Sequence, residues 1–427
     1  MNLTYDQVPI PTDWRFAKLK NLPIEFIDGD RSARYPKRDE LVDSGVLFLN
    51  TSNIVQNTLD LSTVNFITPE KFAALNKGKL RPMDIIITTR GSIGKLALFN
   101  CKYKTGFINA QMLIIRSYGS DVDQHFLFYV LASGSCQELM LNFASGSAQP
   151  QLPIRDLTEI PIPVPPVETQ RKIAGILSTY DDLIENNNKR IKLLEQAARD
   201  LYREWFIHFR FPGHEDVEMV DSETDFGMIP RGWEVGCLGD IASDKREGVS
   251  PEKLDPYEPY VGLEHIPRKT VALSSWGKAS DANSRKFLFK AGDILFGRIR
   301  AYLHKVAVAP IDGATSTDAI VIVPKTPAFY ANVLMCVSSN RFVDFATAVS
   351  QGTKMPRSNW KVLTQYPMTL PPIEVASKYD EVVRDIVHAI HTAVFKNRIL
   401  VEARDLLLPR LVSGELDVND KDIQGIA

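Results

Sequence analysis

The sequence predicts an α+β chain: two pseudo-repeated globular modules separated by two long antiparallel helices that form an intramolecular coiled coil. Three observations lead there. Residues 144–206 are echoed by residues 350–411; a proline-marked loop precedes a long amphipathic segment in each copy; and both segments carry a heptad pattern. A repeat close to half the chain's length means two related modules, not a solenoid of short units. The expected divisions are 1–165 for the first module, 166–211 for a central helix, 212–371 for the second module, 372–415 for a distal helix and 416–427 for a tail.

Each copy runs in the same order. IPTDW ending at Trp14 matches IPRGW ending at Trp233, and LRPMDIIITTRGSIGK (80–95) matches FKAGDILFGRIRAYLHK (289–305). The loops SGSAQPQLPIRDLTEIPIPVPP and SQGTKMPRSNWKVLTQYPMTLPP then align Gly146 with Gly352, Pro150 with Pro356, Leu157 with Leu363, Pro161 with Pro367 and Pro165-Pro166 with Pro371-Pro372. The helices and loops match far better than the globular parts. That asymmetry implies one scaffold used twice with two different ligand surfaces.

From Ile173, Tyr180, Asn187, Leu194 and Leu201 interleave with Leu177, Ile184, Ile191, Ala198 and Trp205 in alternating steps of four and three, the pattern of a coiled-coil seam. Asn187 is the polar member; it either fixes register at some cost in stability or marks a place where the helices splay, and the first is favoured. Glu168 suits the positive N-terminal dipole, and the helix must stop by Pro212-Gly213. In the second copy Tyr379, Val383, Ile386, Ile390 and Ala393 keep the pattern, which stumbles at Lys396-Asn397 and resumes with Ile399, Ala403 and Leu406, until Pro409 and Gly414 end it. At ~1.5 Å per residue each helix is on the order of 50 to 60 Å long. Neither buries its stripe alone, so the economical solution packs them on each other with one module at each end, a rod that acts as a spacing gauge.

At 427 residues and 44% hydrophobic the chain can bury two ordinary cores. No stretch approaches the ~18 apolar residues of a membrane span, and the N-terminus has no basic region followed by an apolar run, so a cytoplasmic protein without a membrane partner is expected. Cys101, Cys136, Cys237 and Cys336 lack C-x-x-C spacing and read as small buried hydrophobes. His388 and His391 lack a third ligand, so no metal site is expected. Net charge is −2, but its distribution is uneven. Residues 71–104 hold Lys71, Lys77, Lys79, Arg81, Arg90, Lys95, Lys102 and Lys104 against Asp84 alone, and residues 285–305 hold Arg285, Lys286, Lys290, Arg298, Arg300 and Lys305 against Asp293. One basic patch per repeat is the layout of a bipartite polyanion binder.

Two modules, each followed by a long helix after a Gly-x-x-x-Pro loop and a Pro-Pro, with LYREWFIHFRFPGHE closing one half and ARDLLLPRLVSGEL closing the other, resemble the specificity subunit of type I restriction-modification systems. The resemblance covers nearly the whole chain. It implies that each module is a target recognition domain reading one half of a split site in double-stranded DNA. The helices would then dock two methyltransferase subunits and, in the larger complex, restriction subunits. It also implies a non-catalytic chain, with S-adenosylmethionine, ATP and Mg²⁺ belonging to the partners and no cofactor here. The residues agree: there is no Asn-Pro-Pro-Tyr or Asp-Pro-Pro-Tyr motif, no Phe-x-Gly-x-Gly loop and no Gly-x-x-x-x-Gly-Lys-Ser/Thr loop. The rival readings are a single-chain DNA methyltransferase or nuclease, and a coiled-coil scaffold without DNA affinity.

Base reading needs paired donors and acceptors, and phosphate clamping needs Lys, Arg, hydroxyls and open backbone amides. In the first module Arg90, Ser92 and Lys95 lie in TTRGSIGK, whose glycines are expected to let amides approach a phosphate, and Gln149 and Gln151 lie in the following loop. The corresponding second-module candidates are Arg298, Arg300 and Lys305, then Lys354, Arg357 and Asn359. Trp14, Trp233 and Trp360 read as packing residues, and Trp205 as core.

Overall fold

Ile85–Thr88, an apolar run buried along its whole length, behaves as such a run must: it becomes an inner strand covered on both faces. In the computed structural model, which describes residues 10–118, 121–146, 150–281, 284–352 and 354–418, it lies in a four-stranded sheet. The order is Ile24–Asp28, Met112–Ser117, Ile85–Thr88 and Leu96–Leu98. A second sheet orders Asn65–Ile67, Val46–Leu49, Gly106–Ile108 and Lys79–Leu80, with the middle two strands parallel. Two capped helices follow: Asp123 accepts from the amides of His125 and Phe126 to start Gln124–Ala132, and Ser133 starts Gly134–Asn142.

The second repeat builds two corresponding sheets, one of them with an additional strand. Ala242–Asp244, Ala319–Pro324, Ile294–Gly297 and Val306–Val308 form one. Gly248–Val249, Lys286–Phe289, Gly313–Ser316, Pro259–Val261 and Gly277–Lys278 form the other, which again contains one parallel pair. Each repeat closes on itself through a two-stranded ribbon, Arg15–Lys18 with Pro161–Val164 and Glu234–Cys237 with Pro367–Leu370. The matching order of strands explains why GDIL-like segments were recognisable while the connections were not.

The chain divides into two units, residues 1–182 with 401–427, and residues 183–400. Each contains a stretch of both long helices, Val167–Tyr202 of 36 residues and Ile373–Val412 of 40 residues. In the first unit Ile173, Leu177, Leu411 and Val412 share one core with the first module. Arg404 bonds Asp181 at 2.6 Å, and Asp181 accepts the Tyr129 hydroxyl at 2.7 Å. In the second unit Ile191 packs with Ile390, Ala393 and Val394. There the Tyr379 hydroxyl donates to the Ala198 carbonyl, Asn187 Nδ2 donates to Asn397 Oδ1 at 2.8 Å, and Asn397 returns a bond to Asn188.

Three expectations about the helices need correction. The apolar pattern does not resume at Ile399 and Leu406, which are 66% and 71% exposed. The inward face instead continues through Asn397, Leu400, Arg404, Leu407 and Leu411 in unbroken steps of three and four, with none of these fully exposed. Polar members satisfied by Asn187 and Asp181 carry it where apolar residues were expected. Secondly, Pro409 lies inside the helix rather than ending it. Its missing N–H falls in the last turn, where burial of Leu411 and Val412 offsets the lost bond, and Gly414 with φ +77° makes the stop. Thirdly, the central helix does not run on to residue 211: Arg203–Ile207 form a π turn and Phe209 turns left-handed. The wider turn puts neighbours Trp205 and Phe206 together into a core with Tyr379, and Phe206 against Trp233.

Candidate nucleic-acid interface

In both units a turn after the inner strand is bonded to the Gly-x-x-x-Pro loop by the same set of backbone hydrogen bonds. The Gly91 amide donates to the Pro150 carbonyl (3.1 Å), the Leu152 amide to Thr89 (2.9 Å), and Ser145 and Gln151 exchange both bonds at 2.8 Å. In the second unit the Arg300 amide donates to Pro356 (2.9 Å), Ser358 to Arg298 (2.9 Å), and Gln351 and Arg357 exchange bonds at 3.0 and 2.9 Å. Thr88 bonds the Lys95 carbonyl as Gly297 bonds that of Lys305. These bonds bring the described sequence candidates of each unit to one edge, and they also correct the residue correspondence. Arg298 occupies the place of Thr89, not Arg90, and Arg300 occupies that of Gly91; one extra residue in the second turn then restores Lys95 to Lys305.

The left-handed positions coincide as well. Gly91 (φ +75°) and Gly94 (φ +82°) bracket the first turn, whereas Arg300 and His304 (both φ +51°) bracket the second around the short Ala301–Leu303 helix. The expectation that the first unit's glycines free amides for a phosphate is not met. The amides of Gly91, Ile93 and Gly94 already donate to Pro150, Gly91 and Thr88, so the glycines serve the backbone conformation.

Among the candidates, Ser92 and Lys95 are exposed, while Arg90 and Gln151 are half-buried and paired as a β-bridge. Gln149 lies outside the described residues. In the second unit Arg300 and Lys354 are exposed, and an Arg300 guanidinium nitrogen reaches the Lys354 carbonyl at 3.5 Å. Arg357 is exposed but pairs with Asp318 at 3.4 Å. Lys305 turns inward, its ammonium donating to the Leu263 carbonyl, and burial followed by repulsion from Arg268 lowers its pKa. Asn359 spends its side-chain oxygen capping the Trp360–Leu363 helix through the Lys361 amide at 3.0 Å. Arg298 lines a shallow pocket of about 250 Å³ with Asp244, Arg246, Phe287 and Ile320, and its Nε is buried without a partner.

The basic runs are less free than their sequence suggests. Lys71 is paired with Glu40 and Lys290 with Asp312, and Lys286 is 5% exposed, with burial lowering its pKa. Sequence reasoning passed over Tyr302 and Met355, exposed apolar residues beside Arg300 and Lys354. Both interrupt basic loop segments, but a criterion of positive charge or paired hydrogen-bonding groups does not single them out. Two of the cysteines, Cys136 and Cys336, are buried with thiol pKa values pushed up to about 12, whereas Cys101 and Cys237 are half-buried, not core as expected. His391 is pushed down to about 4 by burial, and no group of three or more His, Cys, Asp or Glu suited to a metal occurs among the described residues. Nor is any helix there long and apolar enough to cross a membrane.

Comparison with known proteins gives a consistent result. The family model for the type I restriction modification DNA specificity domain matches residues 11–196 and again 230–402. The MjaIX type I restriction enzyme specificity subunit of Methanocaldococcus jannaschii is 28% identical over 347 residues, covering 79% of this chain and 78% of that protein. The HindI specificity subunit of Haemophilus influenzae is 22% identical over 465 residues, covering 92% and 99%. The crystal structure of a type I restriction-modification S subunit from M. genitalium covers 96% of this chain and 98% of its own, with a TM-score of 0.57 at 17% identity, a likeness of fold.

Proposed function

This chain belongs to the type I restriction-modification DNA specificity family, and from that premise we propose that it reads a bipartite duplex site, one half with each globular module, and sets the gap between halves with its two long helices. It is a specificity subunit and not itself an enzyme. The single observation that carries the two-half reading is the duplicated edge. The same backbone bonds present a different side-chain set in each unit, Arg90, Ser92, Lys95 and Gln151 in one and Arg300, Lys354 and Arg357 in the other. One scaffold carrying two side-chain sets is what separate reading of two unlike half-sites requires.

The spacing role rests on an intramolecular antiparallel coiled coil. Its support is the partner order within each unit. Residues 187 and 198 meet 397 and 379 in the second unit, while in the first Asp181 meets Arg404 and Leu177 shares a core with Leu411. Exposed Leu193, Ile399 and Leu406 on the outer faces offer apolar surface to methyltransferase subunits, with restriction subunits joining the larger complex. Exchanging residues 15–150 for the matching segment of a relative should change one half of the methylated target only, as read by mapping modified adenines in cells carrying the hybrid and its methyltransferase. A change in both halves would sink the modular reading.

A further inference from the structure

A protein backbone rarely places two side-chain-bearing residues in the left-handed region within one short turn, since L residues resist that conformation. The second unit does so at Arg300 and His304, where the first unit has glycines. The turn between them is firmly held. Ala301 is 2% exposed, the amides of Leu303 and His304 bond Arg300 and Ala301 at 2.8 Å, and a His304 ring nitrogen meets the Ser338 carbonyl at 2.9 Å. With Ala301 packed inward, Tyr302 stands out and is 55% exposed. On the loop bonded to this turn, Met355 is 53% exposed between Lys354 and Pro356, the residues whose carbonyls accept from Arg300. A strained conformation kept by its surroundings at a ligand-facing edge points to a function for what it displays.

Resting on the reading that this edge meets duplex DNA, we propose that Tyr302 and Met355 form an apolar base-reading pair that contacts the 5-methyl group of a thymine in the major groove of the second half-site. Charge complementarity selects the occupant. Arg300, Lys354 and Arg357 are exposed around the two apolar side chains, so a polyanion is drawn to the place where the aromatic ring and thioether stand. Phosphate contacts position, and they carry no sequence information. The thymine methyl is the one apolar group that a base edge presents in the major groove, and the minor groove offers none. The first unit shows exposed Ser92 in its shorter turn, so the two half-sites are read with different chemistry at equivalent places.

The test starts with selection of bound sequences from a random duplex library by the full-length chain, followed by titration of the selected duplex with each thymine of the second half-site replaced in turn by uracil. Loss of one buried methyl should weaken wild-type binding about fourfold at one position. Tyr302→Ala should bind thymine and uracil duplexes equally and relax the selected motif there, while Tyr302→Phe keeps the discrimination and the first half-site is unchanged in both. If no uracil weakens wild-type binding, the inference is overturned without any variant having to fold. If uracil acts but Tyr302→Ala and Met355→Ala, folded by circular dichroism, still discriminate, the methyl is read elsewhere and the inference also fails. Selection of no sequence at all would overturn the underlying DNA-reading assignment instead.

Discussion

The turn around Gly91 and the turn around Arg300 have the same backbone partners and opposite solutions to the same conformational demand. In the first unit glycine satisfies each left-handed position at no steric cost and the turn displays only Ser92. In the second, arginine and histidine occupy those positions, and the extra residue displays Tyr302. Backbone bonding thus fixes where a loop sits while leaving free what it presents, including at positions where the conformation itself favours glycine.

The contrast extends beneath the turns and predicts its largest effect there. Asp84 and Asp293 open equivalent strands, each accepting an amide bond from the residue three before it. Asp84 is almost fully enclosed and holds Arg116 with two bonds of 2.7 Å, whereas Asp293 meets Lys245 only at 3.4 Å in a wetter setting. Asp84→Ala leaves a largely buried guanidinium with only long contacts to Glu25, Tyr118 and the Lys79 carbonyl, at 3.4–3.5 Å, and should cost about 3–5 kcal/mol. Asp293→Ala should cost about 1–2 kcal/mol, mostly the lost turn bond. Hydrogen exchange of the Ile85–Thr88 and Ile294–Gly297 amides measures the two locally, and equal losses would erase the contrast.

Next in size comes the salt dependence of DNA binding. Lys95 is exposed, so Lys95→Ala should flatten the dependence of log affinity on log salt by up to ~0.9. Lys305, its positional equivalent, is bound to the Leu263 carbonyl, and its replacement should leave the slope unchanged while lowering stability. Titrations at several salt concentrations distinguish them, and equal slope changes would show Lys305 swinging out to a phosphate.

The turns themselves offer a smaller and opposite pair of effects. Gly91→Ala meets no atom within 4 Å, so its cost is the left-handed conformation alone, about 1–2 kcal/mol. Arg300→Gly removes that strain but makes the unfolded chain more flexible, for a net gain of about 0.5 kcal/mol. The same variant should bind DNA less tightly. Rising thermal stability with falling affinity is the signature sought, and a fall in both would show that Arg300 holds the fold instead.

Much of this layout was legible in advance because repeats, prolines and heptads are local signals. The central helix's inward face follows its sequence pattern from Ile173 to Trp205, with Glu195 also buried where it accepts bonds from Thr270 and Val271. What escaped was tertiary. Asn397 and Arg404 look like interruptions until Asn187 and Asp181 satisfy them, and Ile399 looks like core until its exposure is seen. Likewise the inward turn of Lys305 depends on a carbonyl 42 positions earlier, and a charge count treats such a lysine as free.

The smallest effect concerns the other left-handed residue. His304 is 8% exposed, and burial, with Lys269 and Arg199 nearby, lowers its pKa against the opposing influence of the Ser338 carbonyl and Asp344. A histidine whose folded pKa lies below its unfolded value binds protons more readily once unfolded. Its contribution is therefore complete above the ordinary value near 6.5 and declines as pH falls below it. Glycine, found at the equivalent Gly94, accepts the same φ without titrating. His304→Gly should consequently flatten the loss of stability between pH 7.5 and 5.5 (roughly the window in which a histidine of ordinary pKa takes up its proton), while Gly94→Ala leaves that slope as it is. Denaturant midpoints across that range give the measurement. An unchanged slope in His304→Gly would mean that the buried ring is not what couples this turn to pH.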